Sequence, residues 1–279
     1  MPTSDLTRIR SNIQGLNILN TLRDVNNQVA THQLRLGTGR RINSAGDDPA
    51  GMSISTKLDN RNRILQAVYN NIGTANNMLA VAEGGLLSIN DILVQLGEKV
   101  IQASSDTLGS DERKAISVQL VSMINEIDDI AQQTRFGSTN ILNSDDTLFF
   151  QTGERDATEF TTRSYTPVNL GMTNLQGMTE DDIITNENYA LYLDEIETAI
   201  SEVSNGLTSI GSLMNRLTIK EGNIALTQSN TEAAYSRIRN ADMAQEQLNL
   251  SKLQILQQTA TAMLAQANLN AQSLLTLFR

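Results

Sequence analysis

Apolar side chains recur at alternating steps of three and four residues through most of the chain, which is the pattern of amphipathic helices. The longest run extends from Ile54 to Ala103, about 50 residues, and lacks an apolar residue only at Arg61. Only three prolines occur, and the long stretches between them are free to be helical. The pattern therefore predicts a mainly α fold, in which long helices pack as an antiparallel bundle or coiled coil.

A second, shorter run follows a break at Gly109-Ser110-Asp111, where we expect the next helix to be capped. Its spacing predicts a helix that folds back antiparallel on the first, with apolar positions Ile116, Leu120, Met123, Ile127 and Ile130.

The helical period is lost after Phe136-Gly137. Two alternating segments, 148–151 and 159–161, flank a polar turn, which predicts a β-hairpin near 147–162. Pro167, Gly171 and Gly177 mark a short loop region, 163–186. Helix is predicted to resume near Asn186, with Gly206 and Gly211 as its weak points.

The two ends of the chain carry apolar stripes of their own. The N-terminal stripe, with a phase slip in its middle, comprises Leu6, Ile9, Ile13, Leu16, Leu22, Val25, Val29, His32 and Leu36. The C-terminal stripe comprises Leu253, Leu256, Ala260, Met263, Ala267, Asn270, Leu274 and Leu277, and Phe278 follows it. Residues 253–278 hold no charge, and an exposed stripe of this kind indicates an interaction surface. The many Gln and Asn side chains between the apolar ones favour protein partners over lipid.

The amino-acid composition argues against several classes of function. The 279 residues have a net charge of -10, which argues against nucleic acid as a partner. The chain has no Cys and one His, so most catalytic and metal-binding arrangements are missing, and we expect neither an enzyme nor a cofactor. The N-terminal region lacks the apolar core of a cleavable signal, and no apolar window is long enough for stable membrane insertion.

Charge is also divided along the chain. Residues 1–41 carry six arginines against two aspartates, whereas residues 42–239 carry 27 acidic against 13 basic side chains. An acidic middle between weakly charged ends predicts ends that are buried in an assembly and a middle that faces water.

Three candidate sites have simpler structural interpretations. The segment from Gly46 to Ser53 has the glycine spacing of a phosphate loop, but Met52 stands where the lysine is needed. As a turn and helix start it is well formed, since Asp48 can cap a helix whose first residue is Pro49. His32 lies in the N-terminal stripe and is expected to be packed. The acidic clusters near 128, 145 and 181 lack the ligand spacing of a calcium loop.

These same residues resemble bacterial flagellin. The signature segment, which follows the first helix in that family, is Arg41-Ile42-Asn43-Ser44-Ala45-Gly46-Asp47-Asp48-Pro49-Ala50-Gly51. C-terminal blocks at 236–244, 254–260 and 263–268 are also similar, as are internal blocks at 83–86, 134–137 and 215–217. The resemblance covers nearly the whole chain.

The resemblance implies a structural subunit of the flagellar filament, the propeller of the cell. Residues 1–42 with 238–279 would form the inner filament core, and residues 43–237 an outer helical rod without a large variable domain. Two alternatives stay open at this stage. One is the hook–filament junction protein, which usually lacks a block like 255–268, and the other is a flagellin-like adhesin that displays residues 145–185.

Assembly in this interpretation depends on the end stripes. Two helices alone cover too little apolar surface to offset chain entropy, so we expect the ends to be disordered in the monomer and to fold on polymerisation. The resemblance further implies type III export, a helical homopolymer, and contacts with the hook–filament junction protein, the cap protein and an export chaperone.

One departure from the family leads to a prediction about the vertebrate innate receptor for flagellin. In sensed flagellins the helix after the Glu-Gly pair carries two arginines, and this chain has Gln95 and Gly97 in their places. Because two bidentate donors are missing, we expect poor receptor activation. Purified monomer applied to receptor-bearing reporter cells tests this, and strong signalling at low concentration would contradict it.

Overall fold

The computed structural model describes residues 12–179, 182, 184 and 188–276, with the side chains of Ala271 and of residues 273–276 left aside. The described fold is mainly α, as the periodicity predicts. Its helices and strands, in chain order, are α1 (Ile13–Thr38), α2 (Pro49–Ala103), α3 (Ser110–Gln133), β1 (Arg135–Phe136), β2 (Thr139–Asn140), β3 (Thr147–Gln151), β4 (Ala157–Thr161), α4 (Thr173–Gln176), α5 (Tyr189–Arg239) and α6 (Met243–Thr276).

The chain forms two compact units. The first consists of the described parts of Met1–Asn62 and Asn230–Arg279, and therefore contains α1, α6 and the adjoining ends of α2 and α5. The second is Arg63–Ser229, with the rest of α2 and α5 and everything between them. Helices α2 and α5 thus have residues in both units.

The second unit has an extensive aliphatic core. From Leu65 onward the predicted stripe of α2 lies inside it, and Leu79, Leu86 and Leu93 are fully buried. The start of the predicted stripe does not belong to this core, since Ile54 and Leu58 lie in the first unit and Ile54 is exposed. Residues of α3 and α5 belong to the same core cluster, among them Leu120, Ile127, Ala199, Val203 and Leu217. One stretch of α2 is long and apolar enough to cross a membrane. Its apolar stripe is occupied by this core, which accounts for the composition without a bilayer.

The predicted β-hairpin is present. Strands β3 and β4 pair antiparallel, with Phe149 opposite Glu159. Phe150 and Phe160 stack with ring centroids 6.3 Å apart. Lys220 of α5 donates hydrogen bonds to the hydroxyls of Thr152 and Thr158, at 2.8 and 2.9 Å, and both threonines are buried. These bonds attach the hairpin to α5.

The described residues 163–179 after the hairpin are packed and include a short helix, where the sequence predicts a loop region over 163–186. Tyr165, Leu170 and Met172 are buried in the core of the second unit. The short helix α4 is held by Glu195, whose carboxylate accepts hydrogen bonds from the backbone N–H groups of Asn174 and Leu175, at 3.0 and 3.1 Å. The segment is therefore an integral part of the unit.

Helix α5 runs unbroken through both glycines that the sequence marks as weak points. At Gly206 the side chain of Tyr165 lies so close that a Cβ atom would stand 2.2 Å from its Oη. A glycine is required there because any larger residue would displace a buried ring. At Gly211 no atom lies within 4 Å of the Cβ position.

The two glycines should respond in opposite ways to alanine. Gly211→Ala is expected to stabilise the chain by about 1 kcal/mol, since alanine has the higher helix propensity and nothing obstructs its methyl group. Gly206→Ala, the matched change five residues earlier, is expected to destabilise by about 1–3 kcal/mol through overpacking against Tyr165. Urea unfolding followed by circular dichroism measures both. Equal effects of the two variants would contradict the packing described.

Candidate polymerisation surface

Local sequence fixes both ends of α1 and the start of α6. Asn12 Oδ1 accepts a hydrogen bond from Gly15 N–H at 2.8 Å and caps α1. The helix ends at Gly39, whose φ of 69° is left-handed and whose N–H donates to Arg35 O. Asp242 Oδ1 accepts from the N–H groups of Ala244 and Gln245 and so begins α6.

Helices α1 and α6, the terminal helix pair, pack antiparallel. Gln257 Nε2 donates to Asn26 Oδ1 at 2.7 Å, and His32 Nδ1 bonds Glu246 Oε2, so residue numbers fall on α6 as they rise on α1. The seam of α1 consists of Gly15, Ile18, Leu22, Val25, Val29, His32 and Leu36, which are buried or half-buried. The seam of α6 consists of Glu246, Leu250, Leu253, Gln257, Ala260, Leu264 and Ala267.

The structure divides the predicted end stripes between two faces. Leu22, Val25, Val29, Leu36 and Leu253 lie in the seam. Ile13 and Leu16 on α1, and Leu256 and Met263 on α6, are exposed instead. Sequence reasoning missed Ile18, Leu250 and Leu264. Leu6, Ile9, Leu277, Phe278 and the side chain of Leu274 lie outside what the structure describes.

The exposed side of α6 carries several large apolar side chains. Leu248 is 66% exposed and Ile255 is 64% exposed. We call these residues, with their exposed neighbours, the outer face of α6: Leu248, Ile255, Leu256, Met263 and Leu269. Since the seam is apolar as well, α6 carries apolar side chains around most of its circumference, which is typical of a helix buried on all sides.

One charged cluster interrupts the seam. Glu246 is buried, and its carboxylate contacts His32 through one oxygen and Arg35 Nη1 through the other, the latter at 3.6 Å. The three residues form a polar contact between the helices in otherwise apolar surroundings.

The signature segment links α1 to α2 and contacts the C-terminal end of α5. Arg41 Nη2 donates to Ile238 O at 2.8 Å, and Arg41 N–H donates to Arg239 O at 2.7 Å. Asn43 Nδ2 donates to Arg40 O. Asp48 Oδ1 accepts from Gly51 N–H at 2.9 Å and caps α2, whose first residue is Pro49.

Asp47 organises the turn itself, a role that the sequence did not reveal. Its Oδ2 accepts hydrogen bonds from the N–H groups of Ser44 and Asn43, each at 2.9 Å. These two bonds, that of Ser44 first, lower the pKa of the Asp47 carboxyl below its ordinary value of 3.8. Gly46 lies within the turn they close.

Gln95 and Gly97 lie on α2 in the second unit, Gln95 exposed and Gly97 half-buried. A Cβ atom at Gly97 would stand 3.8 Å from Ile196 Cγ2, an ordinary contact distance. Among residues 12–179, 182, 184 and 188–276, no group of three or more His, Asp or Glu side chains is arranged to hold a metal ion.

A well-packed helical unit joined to a helix pair with an uncovered apolar face defines a class of structural proteins that assemble through their terminal helices. Comparison with known proteins is consistent with this class. The family description "Bacterial flagellin N-terminal helical region" matches residues 9–147, and "Bacterial flagellin C-terminal helical region" matches residues 193–278.

Individual relatives agree with the family match. The chain is 32% identical to a flagellin of Halalkalibacterium halodurans over 88% of this chain and 90% of that protein. It is 30% identical to the flagellar filament 33 kDa core protein of Treponema phagedenis over 97% and 99%. The fold is similar to the crystal structure of Bacillus cereus FlgL, with a TM-score of 0.53, 16% identity and coverage of 64% of this chain and 99% of that one.

The chain therefore belongs to the bacterial flagellin family. It is a structural subunit that polymerises with copies of itself into the flagellar filament, and it serves cell motility there. Its compact form, without a large variable outer domain, accords with the coverage of its relatives from end to end.

Acid should weaken the signature segment through Asp47. Because the folded pKa lies below 3.8, the hydrogen bonds to its carboxylate stabilise the fold above that pH, and the contribution is lost as pH falls through the folded pKa. Asp47→Asn removes this titration. Urea unfolding of both chains at neutral and acid pH should show the stability difference shrinking below about pH 4. A difference independent of pH would contradict the assignment.

Proposed function

We propose that the outer face of α6, together with Ile13 and Leu16 of α1, is the surface through which neighbouring subunits bury one another in the filament. The observation that carries this proposal is the exposure of Leu248 and Ile255, about two thirds of each residue, on a helix that is apolar on most sides. Apolar surface of this extent favours burial against another protein.

The electrostatics support the same surface. From Leu253 to Thr276 α6 has no charged residue, so copies can approach closely without desolvating unpaired charges. The Gln and Asn side chains on this stretch can exchange hydrogen bonds between helices, as Gln257 and Asn26 do within the subunit. The acidic residues are concentrated between the two ends, in the part proposed to face water.

We further propose that residues 1–42 and 238–279 form the inner filament core and that residues 43–237 form the outer rod. The signature segment supports this border. Arg41 donates hydrogen bonds to Ile238 O and Arg239 O, and these residues lie at the proposed boundaries near 42 and 238. The role is structural and not catalytic, in keeping with the family.

The assembly pathway is proposed on the same grounds. The seam fully buries few large side chains, and three of its residues, Gly15, Ala260 and Ala267, are small. Such a seam gives limited stability to two helices alone, which suits terminal segments that fold fully on polymerisation and pass unfolded through a type III export channel. An export chaperone would cover them before export, and the hook–filament junction and cap proteins would contact them at the filament ends.

Polar substitution of the outer face should stop growth of the filament. We expect Ile255→Gln with Met263→Gln to block elongation because each new contact would bury two amide groups without partners, at about 1–3 kcal/mol per group. Seeding the purified chain onto filament fragments and measuring length by electron microscopy tests this directly.

The matched control is Val168→Gln, which makes the same kind of change at an exposed apolar residue of the second unit. This variant should elongate. Circular dichroism of all chains before seeding checks that the helical fold of the second unit is intact. Elongation of the double variant at the rate of the unsubstituted chain would refute the proposed surface.

A further inference from the structure

Both the seam and the outer face of α6 offer large apolar side chains. The seam includes Leu250, Leu253 and Leu264, and the outer face includes Ile255 and Met263. Because stabilisation rises with the apolar area removed from water, burial against α1 does not by itself decide between the two sides. A more specific interaction is needed to select the observed face.

The charged cluster of His32, Arg35 and Glu246 provides that interaction. Glu246 lies on the seam of α6, and the outer face has no charged residue with which His32 and Arg35 could pair after a rotation. A rotation of α6 that brought Ile255 to α1 would carry Glu246 away from both partners. The side chains of His32 and Glu246 are only 17% and 10% exposed, so separating them leaves poorly hydrated polar groups.

We propose that His32, Arg35 and Glu246 determine which face of α6 is covered by α1, and thereby keep the outer face of α6 uncovered for neighbouring subunits. This inference rests on the polymerisation surface proposed above. Buried polar pairs fix the alignment of coiled coils in the same way, since an apolar seam tolerates many alignments and a paired charge tolerates few.

The backbone bridge near Arg40 and Asn240 does not replace this selection. It holds the chain where α1 ends and α6 begins, with Ala241 N–H donating to Gly39 O at 3.0 Å. A bridge at one end limits sliding along the axis but leaves rotation of α6 about its own axis free. The charged cluster does distinguish the faces of α6, because Glu246 lies on only one of them.

Disulfide trapping tests the proposal, because the chain has no cysteine of its own. The seam pair Asn26→Cys with Gln257→Cys reports the observed face, since these side chains are in contact. The rotated pair Asn26→Cys with Ile255→Cys reports the opposite one. Each pair is placed in the full chain, which is oxidised both as monomer and within filaments diluted with an excess of cysteine-free subunits.

We expect the seam pair to dominate in the otherwise unchanged chain. With His32→Leu and Glu246→Leu added, the ratio of rotated to seam crosslink should rise roughly tenfold, because both faces are then apolar. The swapped variant His32→Glu with Glu246→His should restore the original ratio. Glu232→Leu, which removes a carboxylate that bonds Asn62 elsewhere in the same unit, is the matched control and should leave the ratio unchanged.

An unchanged crosslink ratio in the leucine variant, with helix content preserved, would overturn the proposal. If the leucine variant fails to fold, Glu246→Gln gives the same readout with a smaller expected increase, and no increase there would likewise overturn it. Failure of the polymerisation surface has a separate signature: the chain with Ile255→Gln and Met263→Gln would still elongate, whereas the crosslink ratios are measured in chains without these two substitutions.

Discussion

The constraint on which this structure depends is that one helix cannot cover α6. Apolar side chains occupy most of its circumference, yet α1 contacts only the seam that contains Leu253, Ala260 and Ala267. The remaining apolar surface is exposed in a single subunit, and the hydrophobic effect favours its burial by other copies. Membership of the flagellin family, whose members polymerise into filaments, agrees with this physical expectation.

The second unit, in contrast, buries its apolar surface within a single subunit. Its helices α2, α3 and α5 bury their apolar stripes against one another, and the hairpin and α4 close the same core through Lys220 and Glu195. The chain thus combines a part that completes its packing alone with a part that does not. The second unit can therefore fold in a single subunit, whereas the terminal helices need neighbouring subunits to bury their remaining apolar surface.

Much of this architecture follows from sequence spacing, because a heptad seam leaves few alternatives for the face that is buried. The stripe of α2 was predictable for that reason, and so was the hairpin from its alternation. The seam of α1 was not fully predictable. Ile18 and Leu16 are equally apolar, and only the position of α6 decides that Ile18 is covered.

Contacts between residues that are distant in the sequence could not be predicted either. Glu195 holds α4 from twenty residues away, and Gly206 accommodates Tyr165 across the core. Neither contact has a local signature, since each depends on how the helices pack. Of the candidate surface, the sequence indicated the apolar ends and the signature segment, whereas the faces of α6 and the partners of His32 required the structure.

Amide hydrogen exchange on α1 and α6, measured in the monomer and in the filament, tests the central claim most directly. If the terminal helix pair depends on neighbouring subunits, amides from Ile13 to Thr38 and from Met243 to Thr276 should exchange quickly in the monomer and slowly in the filament, while the core of the second unit stays protected in both. Equal protection of α1 and α6 in the two states would contradict the account.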